Sequence, residues 1–325
     1  MPSFVDPAIL FFVFGMLAGL LRSNLEIPPQ IARFLSLYLL MALGLKGGFA
    51  LSQSGMTTEV VVSLGAALIM AILVPLLGYL TLRQFLNGFD AAAIAATYGS
   101  VSAVTFITAV QYLDTHGISF GGHMAAAMAL MESPAIVLAV LMANHARQRS
   151  TAVTASGTAA AGDAPLGRIL HEALTDGAQL LLLGAMLIGV LTGESGQAAM
   201  KPFSVDLFKG MLAFFLLDMG LLAARNMGKL KGQSVWLLVY AIAGPLVHAG
   251  IALLLSWSLG LPVGNGVLLM VLAASASYIA VPAVIRHAIP EANPTLYFGM
   301  SLGLTFPLNI LVGIPLYAYL AQRCL

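Results

Sequence analysis

Two short stretches of small and hydroxyl-bearing residues interrupt an otherwise apolar chain, and together they could bind a small ion. The first is ATYGSVSAVT at residues 96–105, and the second is AASASYIAVP at residues 273–282. Lipid offers no hydrogen bonds to loose backbone, so a helix interrupted at membrane depth needs cover from protein or from a polar cavity. The residues that we single out for substrate binding are Thr97, Gly99, Ser100, Ser102, Ser275, Ala276, Ser277 and Tyr278.

These stretches favour the binding of a small anion. If a helix breaks at each stretch and the breaks face each other, two helix N-termini point at one place, each with about half a positive charge. Free backbone N–H groups bind an anion there without a buried lysine or arginine, and neither residue type lies beside the stretches. The alternative is that small residues only let helices pack closely. The duplication of the stretch favours a binding site.

Glu132 is the sharpest single candidate, because it lies near the middle of another apolar stretch, in MESPAI at residues 131–136. An ionisable side chain at that depth is costly and marks a functional site by default. As a carboxylate it could ligate sodium, and as an acid it could carry a proton. The alternative is a protonated acid that satisfies carbonyl groups freed by Pro134. The candidates for binding a coupling ion are Glu132, Thr105, Ser301, Thr305 and Asn309.

The composition predicts that membrane helices position these residues. The chain of 325 residues is 60% hydrophobic and 8% charged, with a mean hydropathy of +0.96. A soluble protein has roughly 25% charged residues, and barrel strands would alternate over about 10 residues. The net charge of +1 gives no reason to expect a nucleic-acid partner, and Cys324 is the only cysteine. With no nucleophile–base pair in the sequence, we expect no enzyme activity and no cofactor beyond a possible sodium ion.

Ten stretches are long enough to cross a bilayer as helices, which takes about 20 apolar residues each. They lie at roughly 4–21, 33–52, 60–84, 90–112, 120–143, 173–193, 207–224, 234–259, 264–287 and 295–320. A small, polar segment at 144–172 predicts a cytoplasmic linker. We therefore predict an all-α integral membrane protein with five helices in residues 1–143 and five in residues 173–325, the first helix being retained rather than cleaved.

The two halves resemble each other weakly at four places. The aligned pairs are Gly44 with Gly220 (220 − 44 = 176), Pro75 with Pro245 (245 − 75 = 170), Gly99 with Ala276 (276 − 99 = 177) and Pro134 with Pro307 (307 − 134 = 173). Because each half has five spans, the second half is inverted relative to the first. An inverted repeat with paired broken helices meeting near the midplane is the architecture of many secondary transporters.

The distribution of cationic residues predicts the orientation, because cytoplasmic loops carry an excess of lysine and arginine. With an exterior N-terminus, ten of the fourteen cations face the cytoplasm: Arg22, Arg33, Arg83, Arg147, Arg149, Arg168, Arg225, Lys229, Lys231 and Arg286. The four on the exterior side are Lys46, Lys201, Lys209 and Arg323. We therefore expect both termini on the periplasmic or exterior side of a bacterial inner membrane.

At these residues the chain resembles the sodium-dependent bicarbonate transporter family, the SbtA-like permeases. The likeness covers nearly the whole chain and is most specific in IPEANPTLYFG (residues 289–299), followed by Pro307 and GIPLY (residues 313–317). It also covers GLKGGFAL (44–51), YGSVSAVT (98–105), MESPAIV (131–137) and GPLVHAG (244–250). In the second interruption the family typically reads SSSDISGP, whereas Tyr278 and Ala280 here replace an aspartate and a serine. The aspartate of the first half is Glu132 in this chain.

The resemblance implies ten helices in a five-plus-five inverted repeat, with a scaffold that forms a homotrimer and a core that moves across the membrane. It also implies sodium–bicarbonate symport and a PII-like regulatory partner. We therefore predict a sodium-coupled secondary active transporter in the lipid membrane that carries a small anion, most directly bicarbonate. The anion is expected to be bound by Ser100, Ser102, Ser277 and exposed backbone N–H groups. Two alternatives stay open: a proton-coupled or uncoupled permease for another small organic anion, and a non-transporting membrane sensor with the same fold.

Overall fold

The computed structural model describes residues 6–153, 177–230 and 232–325. Within these ranges the protein is all-helical, with 84% of residues in helices and no strand. The helices are α1 (Pro7–Leu20), α2 (Pro29–Ser54), α3 (Thr58–Leu82), α4 (Gly88–Gly99), α5 (Ala103–His116), α6 (Met124–Val153), α7 (Gly177–Lys201), α8 (Phe208–Met227), α9 (Val235–Ser258), α10 (Val263–Ala274), α11 (Ala280–Ala288) and α12 (Pro294–Cys324).

Seven helical segments of the described chain are long and apolar enough to cross a membrane, so the protein is a multi-pass membrane protein. They are Pro29–Gln53, Thr58–Leu82, Gly88–His116, Met124–Asn144, Gly177–Met227, Val235–Ser258 and Pro294–Cys324. Two shorter apolar helices are Pro7–Leu20 and Val263–Ala274. The segment Gly177–Met227 contains two helices, α7 and α8, joined by a π-helical turn at Pro202–Asp206, and the sequence predicts two spans in this region. Within it, Gly193 has φ 52° and ψ −137° at the predicted end of the sixth span.

Helix α6 is longer than the sequence predicts. It continues to Val153, ten residues past the predicted end of the fifth span at residue 143. It therefore occupies the beginning of the segment that the sequence assigns to a linker. The rest of that predicted linker, residues 154–172, lies outside the described residues.

Four helices form two closely packed pairs, α1 with α8 and α2 with α7. Glycines allow this approach. A Cβ on Gly220 would lie 2.2 Å from the carbonyl oxygen of Phe12, and one on Gly48 would lie 2.1 Å from that of Met186. Small residues at such crossings let helix backbones approach where lipid gives no hydrophobic driving force between helices. We call α1, α2, α7 and α8 the scaffold helices.

The remaining elements, α3–α6 and α9–α12, pack mainly on one another, and we call them the central helices. α3 packs against α4 and α6, and α9 packs against α10 and α12. α10 is buried along its whole length, from Gly264 to Ala274. The first interrupted stretch is buried as well, whereas Ile279 in the second is 57% exposed. Irregular backbone at membrane depth requires such cover from protein or from a polar cavity.

Candidate functional site

The first interruption separates α4 from α5. α4 ends at Gly99, Ser100 is extended (φ −88°, ψ 177°), and α5 begins at Ala103. Ser102 caps α5: its Oγ accepts hydrogen bonds from the backbone N–H of Thr105 at 3.2 Å and from the Thr105 hydroxyl at 3.0 Å. A serine at this position satisfies one of the donors that the first helical turn leaves free.

The second interruption separates α10 from α11. α10 ends at Ala274, Ser275 is extended (φ −80°, ψ 165°), and α11 begins at Ala280. Ser277 Oγ accepts a hydrogen bond from the backbone N–H of Val281 at 3.3 Å. A serine hydroxyl therefore lies at the start of the half-helix that follows each interruption.

Two hydrogen bonds join the interruptions to each other. The N–H of Ser277 donates to the carbonyl oxygen of Thr97 at 2.7 Å, and the N–H of Ser102 donates to Ser275 Oγ at 2.9 Å. The Thr97 carbonyl belongs to the last turn of α4, where a helix has no intrahelical donor for it. Stretches from opposite halves of the chain thus lie side by side and satisfy each other's backbone groups.

Helix α12 supports the interruptions from behind. Its π-helical turns, Ser301–Thr305 and Asn309–Gly313, flank Pro307, which lacks a backbone donor. Asn309 Nδ2 donates to the carbonyl of Ala274, the last residue of α10, at 2.8 Å. Asn309 therefore satisfies a carbonyl that the second interruption exposes.

A cavity of about 70 Å³ adjoins the crossing of the two interruptions. Its polar lining comes from Ser102 and Ser277, from Glu132 on α6, and from Ser36 and Gln179 on the scaffold helices. A water molecule needs roughly 10–15 Å³ of such space. The cavity therefore fits an ion of a few non-hydrogen atoms.

Several backbone donors at this cavity make no hydrogen bond within the described chain. They are the N–H groups of Val101, Ala103 and Val104 around the start of α5, and those of Tyr278 and Ile279 before α11. The N-terminus of a helix is a favourable place for an anion because its free donors and its dipole both attract negative charge. The small cavity thus has the donors that the sequence predicts for anion binding, although Ser102 and Ser277 use their own N–H groups elsewhere.

Glu132 is the one charged side chain among the described residues that line this cavity. Its Oε2 accepts a hydrogen bond from Gln179 Nε2 on α7 at 2.7 Å. No lysine or arginine of the described chain lines the cavity. The cavity therefore places a carboxyl group beside its backbone donors.

A much larger cavity, of about 1140 Å³, opens beside the small one. The two share Ser36, Ala178, Tyr278 and Ile279 in their walls. Arg33 and Arg286 also line the large cavity, and so does Asp218 on α8. The Tyr278 ring packs edge-on against Phe306 at 5.3 Å between centroids. Tyr278 therefore forms part of the wall between the small cavity and the side of the protein that carries these arginines.

An ion pair outside the membrane-spanning segments holds the far end of α11. Arg147 Nε and Nη2 donate to the two carboxylate oxygens of Glu291 at 2.8 and 2.9 Å, and Nη2 also donates to the Ala288 carbonyl, at the end of α11, at 3.0 Å. The hydrogen bonds from Arg147 hold the pKa of Glu291 below its usual value. α11 is thus anchored to α6 at the end opposite the second interruption.

The sequence match decides the family of this chain. A family model for the Na⁺-dependent bicarbonate transporter superfamily matches residues 7–322. The chain belongs to this superfamily. The resemblance inferred from the sequence is therefore confirmed. None of the curated proteins gives a significant match.

In this member of the bicarbonate transporter superfamily, some of the predicted substrate-binding residues line the small cavity and the others do not. Ser102, Ser277 and Tyr278 line the small cavity. The others are buried behind it: Thr97, Gly99, Ser100, Ser275 and Ala276. Of these, Ser100 Oγ is fully buried and has no hydrogen-bond partner in the described chain. All eight remain predicted rather than demonstrated binding residues.

The residues predicted to bind a coupling ion also fall into two groups, one at the small cavity and one bonded elsewhere. Glu132 lines the small cavity, and Thr105 contacts Ser102 beside it. Thr305 instead bonds to the Tyr98 hydroxyl at 2.6 Å and donates to the Ala241 carbonyl at 2.8 Å. Ser301 donates to Tyr297 O, and Asn309 also accepts from the Tyr317 hydroxyl. The structure does not bring Ser301, Thr305 or Asn309 into the wall that holds Glu132.

Two polar residues of this transporter's cavity are missed by the sequence reasoning. Ser36 and Gln179 come from scaffold helices α2 and α7, far from either interruption in the chain. The available signal for Gln179 is a lone amide at the start of the apolar run AQLLLLG (residues 178–184). Such an amide is costly against lipid, so it favours a buried partner.

Proposed function

We propose that this protein is a secondary active transporter that carries bicarbonate together with sodium. The observation that carries the proposal is the small cavity, which combines free backbone donors with one carboxylate, Glu132. The donors suit the anion, and the carboxylate suits the cation. Membership in a superfamily described as Na⁺-dependent bicarbonate transporters supports both assignments and a non-enzymatic role.

The anion is proposed to bind at the N-terminus of α5. The free N–H groups of Ala103 and Val104 belong to the first turn of that helix, and Ser102 and Ser277 line the same cavity. Bicarbonate has three oxygens that accept these hydrogen bonds, and its size suits a cavity of about 70 Å³. A larger organic anion would need the wall at Tyr278 to move.

The charge of the cavity supports coupling to a cation. Glu132 contributes a carboxyl group to the wall of the small cavity, beside the backbone donors proposed for the anion. A sodium ion at Glu132 would attract the incoming anion, since opposite charges at close range strengthen each other's binding in a medium of low dielectric. Anion and cation thus favour binding together.

The fold supports an inverted repeat of ten spans whose two broken helices cross. Gly44 on α2 packs on α7, and its sequence mate Gly220 on α8 packs on α1. The mates thus occupy equivalent places in the two scaffold pairs, as a pseudo-twofold axis in the membrane plane requires. We infer that the central helices, which carry both interruptions, move as a unit against the scaffold helices.

The observed conformation is proposed to face the cytoplasm. The small cavity shares its wall with the large cavity that Arg33 and Arg286 line, and both arginines fall on the side that the charge distribution assigns to the cytoplasm. The cavity on the other side, lined by Lys46 and Asp114, shares no lining residue with the small one. The same charge distribution is the basis for proposing that both termini lie on the exterior side of the inner membrane. The homotrimer and the PII-like partner stay predictions of the resemblance.

The test is uptake of labelled bicarbonate into proteoliposomes that contain the purified protein. We expect accumulation under an inward sodium gradient and little uptake when choline replaces sodium. Glu132→Gln should abolish the sodium dependence, and Glu194→Gln on an exposed part of α7 serves as the matched control. Accumulation driven by a proton gradient alone, or accumulation of another monocarboxylate instead of bicarbonate, would contradict the proposal.

A further inference from the structure

A polar contact joins the central helices to the scaffold at the wall of the small cavity. Gln179 Nε2 on α7 donates to Glu132 Oε2 on α6 at 2.7 Å. A carboxylate has only acceptors, so the amide N–H of Gln179 must be the group that faces it. Gln179 is buried, with 7% of its surface exposed. The contact is therefore a part-buried hydrogen bond, and a bond of this kind to an ionised carboxylate is stronger than one between neutral groups.

We propose that Gln179 is a positioning residue that ties ion binding at Glu132 to the movement of the central helices. The proposal rests on the proposed sodium coupling. A cation and an N–H donor compete for the same carboxylate, because both carry positive charge toward it. Without the ion, Gln179 holds Glu132 and therefore holds the central helices on the scaffold. When sodium binds, that hydrogen bond breaks and the central helices are released.

The other side chains of the cavity suit a cation in this competition. Ser36, Ser102 and Ser277 place hydroxyl oxygens in the same wall as Glu132. Sodium is a hard cation and prefers oxygen ligands. The Gln179 amide offers an oxygen only if its plane turns over, which also removes its N–H from Glu132. Whether sodium displaces the Gln179 N–H or the amide turns its oxygen toward the ion, the hydrogen bond between Gln179 and Glu132 is lost.

Other contacts between scaffold and central helices lack this link to the ion. Tyr278 donates to Met219 Sδ at 3.6 Å, and a thioether is a weak acceptor without charge. Lys46 and Asp114 pair at 3.4 Å with side chains 25% and 41% exposed, which makes the pair weak. That ion pair also lines a different cavity. Only a contact to Glu132 responds directly to an ion bound there.

The chain offers a matched control on the same helix. Gln197 of α7 accepts a hydrogen bond from Gln53 of α2 at 3.1 Å, so this contact joins two scaffold helices. Gln179→Met and Gln197→Met each replace a glutamine by a residue of similar length without an amide. Only the first removes a contact across the moving boundary.

The experiment measures the accessibility of a single cysteine in detergent-purified protein. Ala32→Cys in a Cys324→Ser background places a thiol in the wall of the large cavity, away from the proposed sodium ligands, and its rate of reaction with a maleimide is measured in sodium chloride and in choline chloride. We expect sodium to change this rate in the background protein. In Gln179→Met, the rate in choline should shift toward the sodium value by roughly tenfold, the effect of one charge-assisted hydrogen bond on a two-state equilibrium. Gln197→Met should behave like the background.

A second variant separates this role from a structural one. Gln179→Glu puts a second carboxylate at the ion, so the sodium concentration that gives half of the rate change should fall. A midpoint that stays in place in Gln179→Glu, or a Gln179→Met protein that responds to sodium like the background, overturns the proposal. So does a background protein that shows no response. The thiol assay needs no transport, so a protein that takes up no bicarbonate refutes the proposed substrate without deciding the role of Gln179.

Discussion

Gly99, the last residue of α4, provides the sharpest test of how the first interruption is positioned. A Cβ added to Gly99 would lie 2.5 Å from Cβ of Pro75 and 2.7 Å from both its Cγ and its Cδ. The proline ring is rigid and has no rotamer that would move it away. Gly99→Ala therefore forces α3 and α4 apart at the point where the chain leaves the helix.

The displacement follows from the distances. Carbon atoms in contact lie at about 3.5 Å or more, so the contact of 2.5 Å must lengthen by about 1 Å. Overpacking of this kind costs about 1–3 kcal/mol of stability. The shift acts on Ser100 and Ser102, which follow directly in the chain. A misplacement of about 1 Å at a site lowers its rate by about 100-fold, and we expect this loss in transport.

The assay compares Gly99→Ala with Gly65→Ala, since Gly65 lies on α3 like Pro75 but has open space where its Cβ would be. Initial rates of labelled bicarbonate uptake into proteoliposomes and melting temperatures in detergent are measured for both. We expect Gly65→Ala to transport like the parent and to melt no lower, because alanine stabilises a helix relative to glycine. If Gly99→Ala also transports and melts like the parent, the reasoning is refuted. An equal loss in both variants refutes it as well.

Three further changes test other parts of the structure. Ser275→Ala leaves the buried Ser102 N–H without its acceptor and should lower the free energy of unfolding by about 1–3 kcal/mol, which is measured as a lower melting temperature. Ser258→Ala is the control, because it removes an exposed hydroxyl and should leave the melting temperature unchanged. Tyr278→Asp adds a carboxylate to the cavity wall and should lower the sodium concentration for half-maximal uptake relative to Tyr278→Asn; equal values would contradict this. Glu291→Gln should lower stability at neutral pH by at most about 1 kcal/mol, since Glu291 is 35% exposed. Because Arg147 lowers the pKa of Glu291, the stability difference between the parent and Glu291→Gln should be fully present above pH 4.5, the ordinary pKa of a glutamate, and should disappear as the pH falls through the lowered pKa. A difference in melting temperature that does not depend on pH would contradict this prediction.

Local chemistry made much of the site predictable. The interruptions at Ser100 and Ser275 could be located in the sequence because small and polar residues stand out in apolar segments, and serine side chains compete with the helix for backbone groups. Glu132 was visible for a related reason, since a lone acid in an apolar segment is costly and therefore informative.

The same local signals do not show which contacts a residue makes. Gly99 was singled out for substrate binding, and in the structure it makes room for Pro75. Asn309 was considered for ion binding, and in the structure it bonds to the Ala274 carbonyl and to Tyr317. A polar side chain in an apolar helix shows that some partner is required. It does not show whether that partner is an ion or a neighbouring backbone group.

The sequence by itself determined that the protein is a membrane transporter of this superfamily with two polar interruptions, because composition, apolar length and motif are properties of neighbouring residues. Only the tertiary structure decided which groups share a cavity. Ser277 meets Thr97, and Gln179 meets Glu132, through contacts between residues far apart in the chain. The physical reason is that helices in a membrane choose partners by close packing and hydrogen bonding, and these depend on the shape of both surfaces at once.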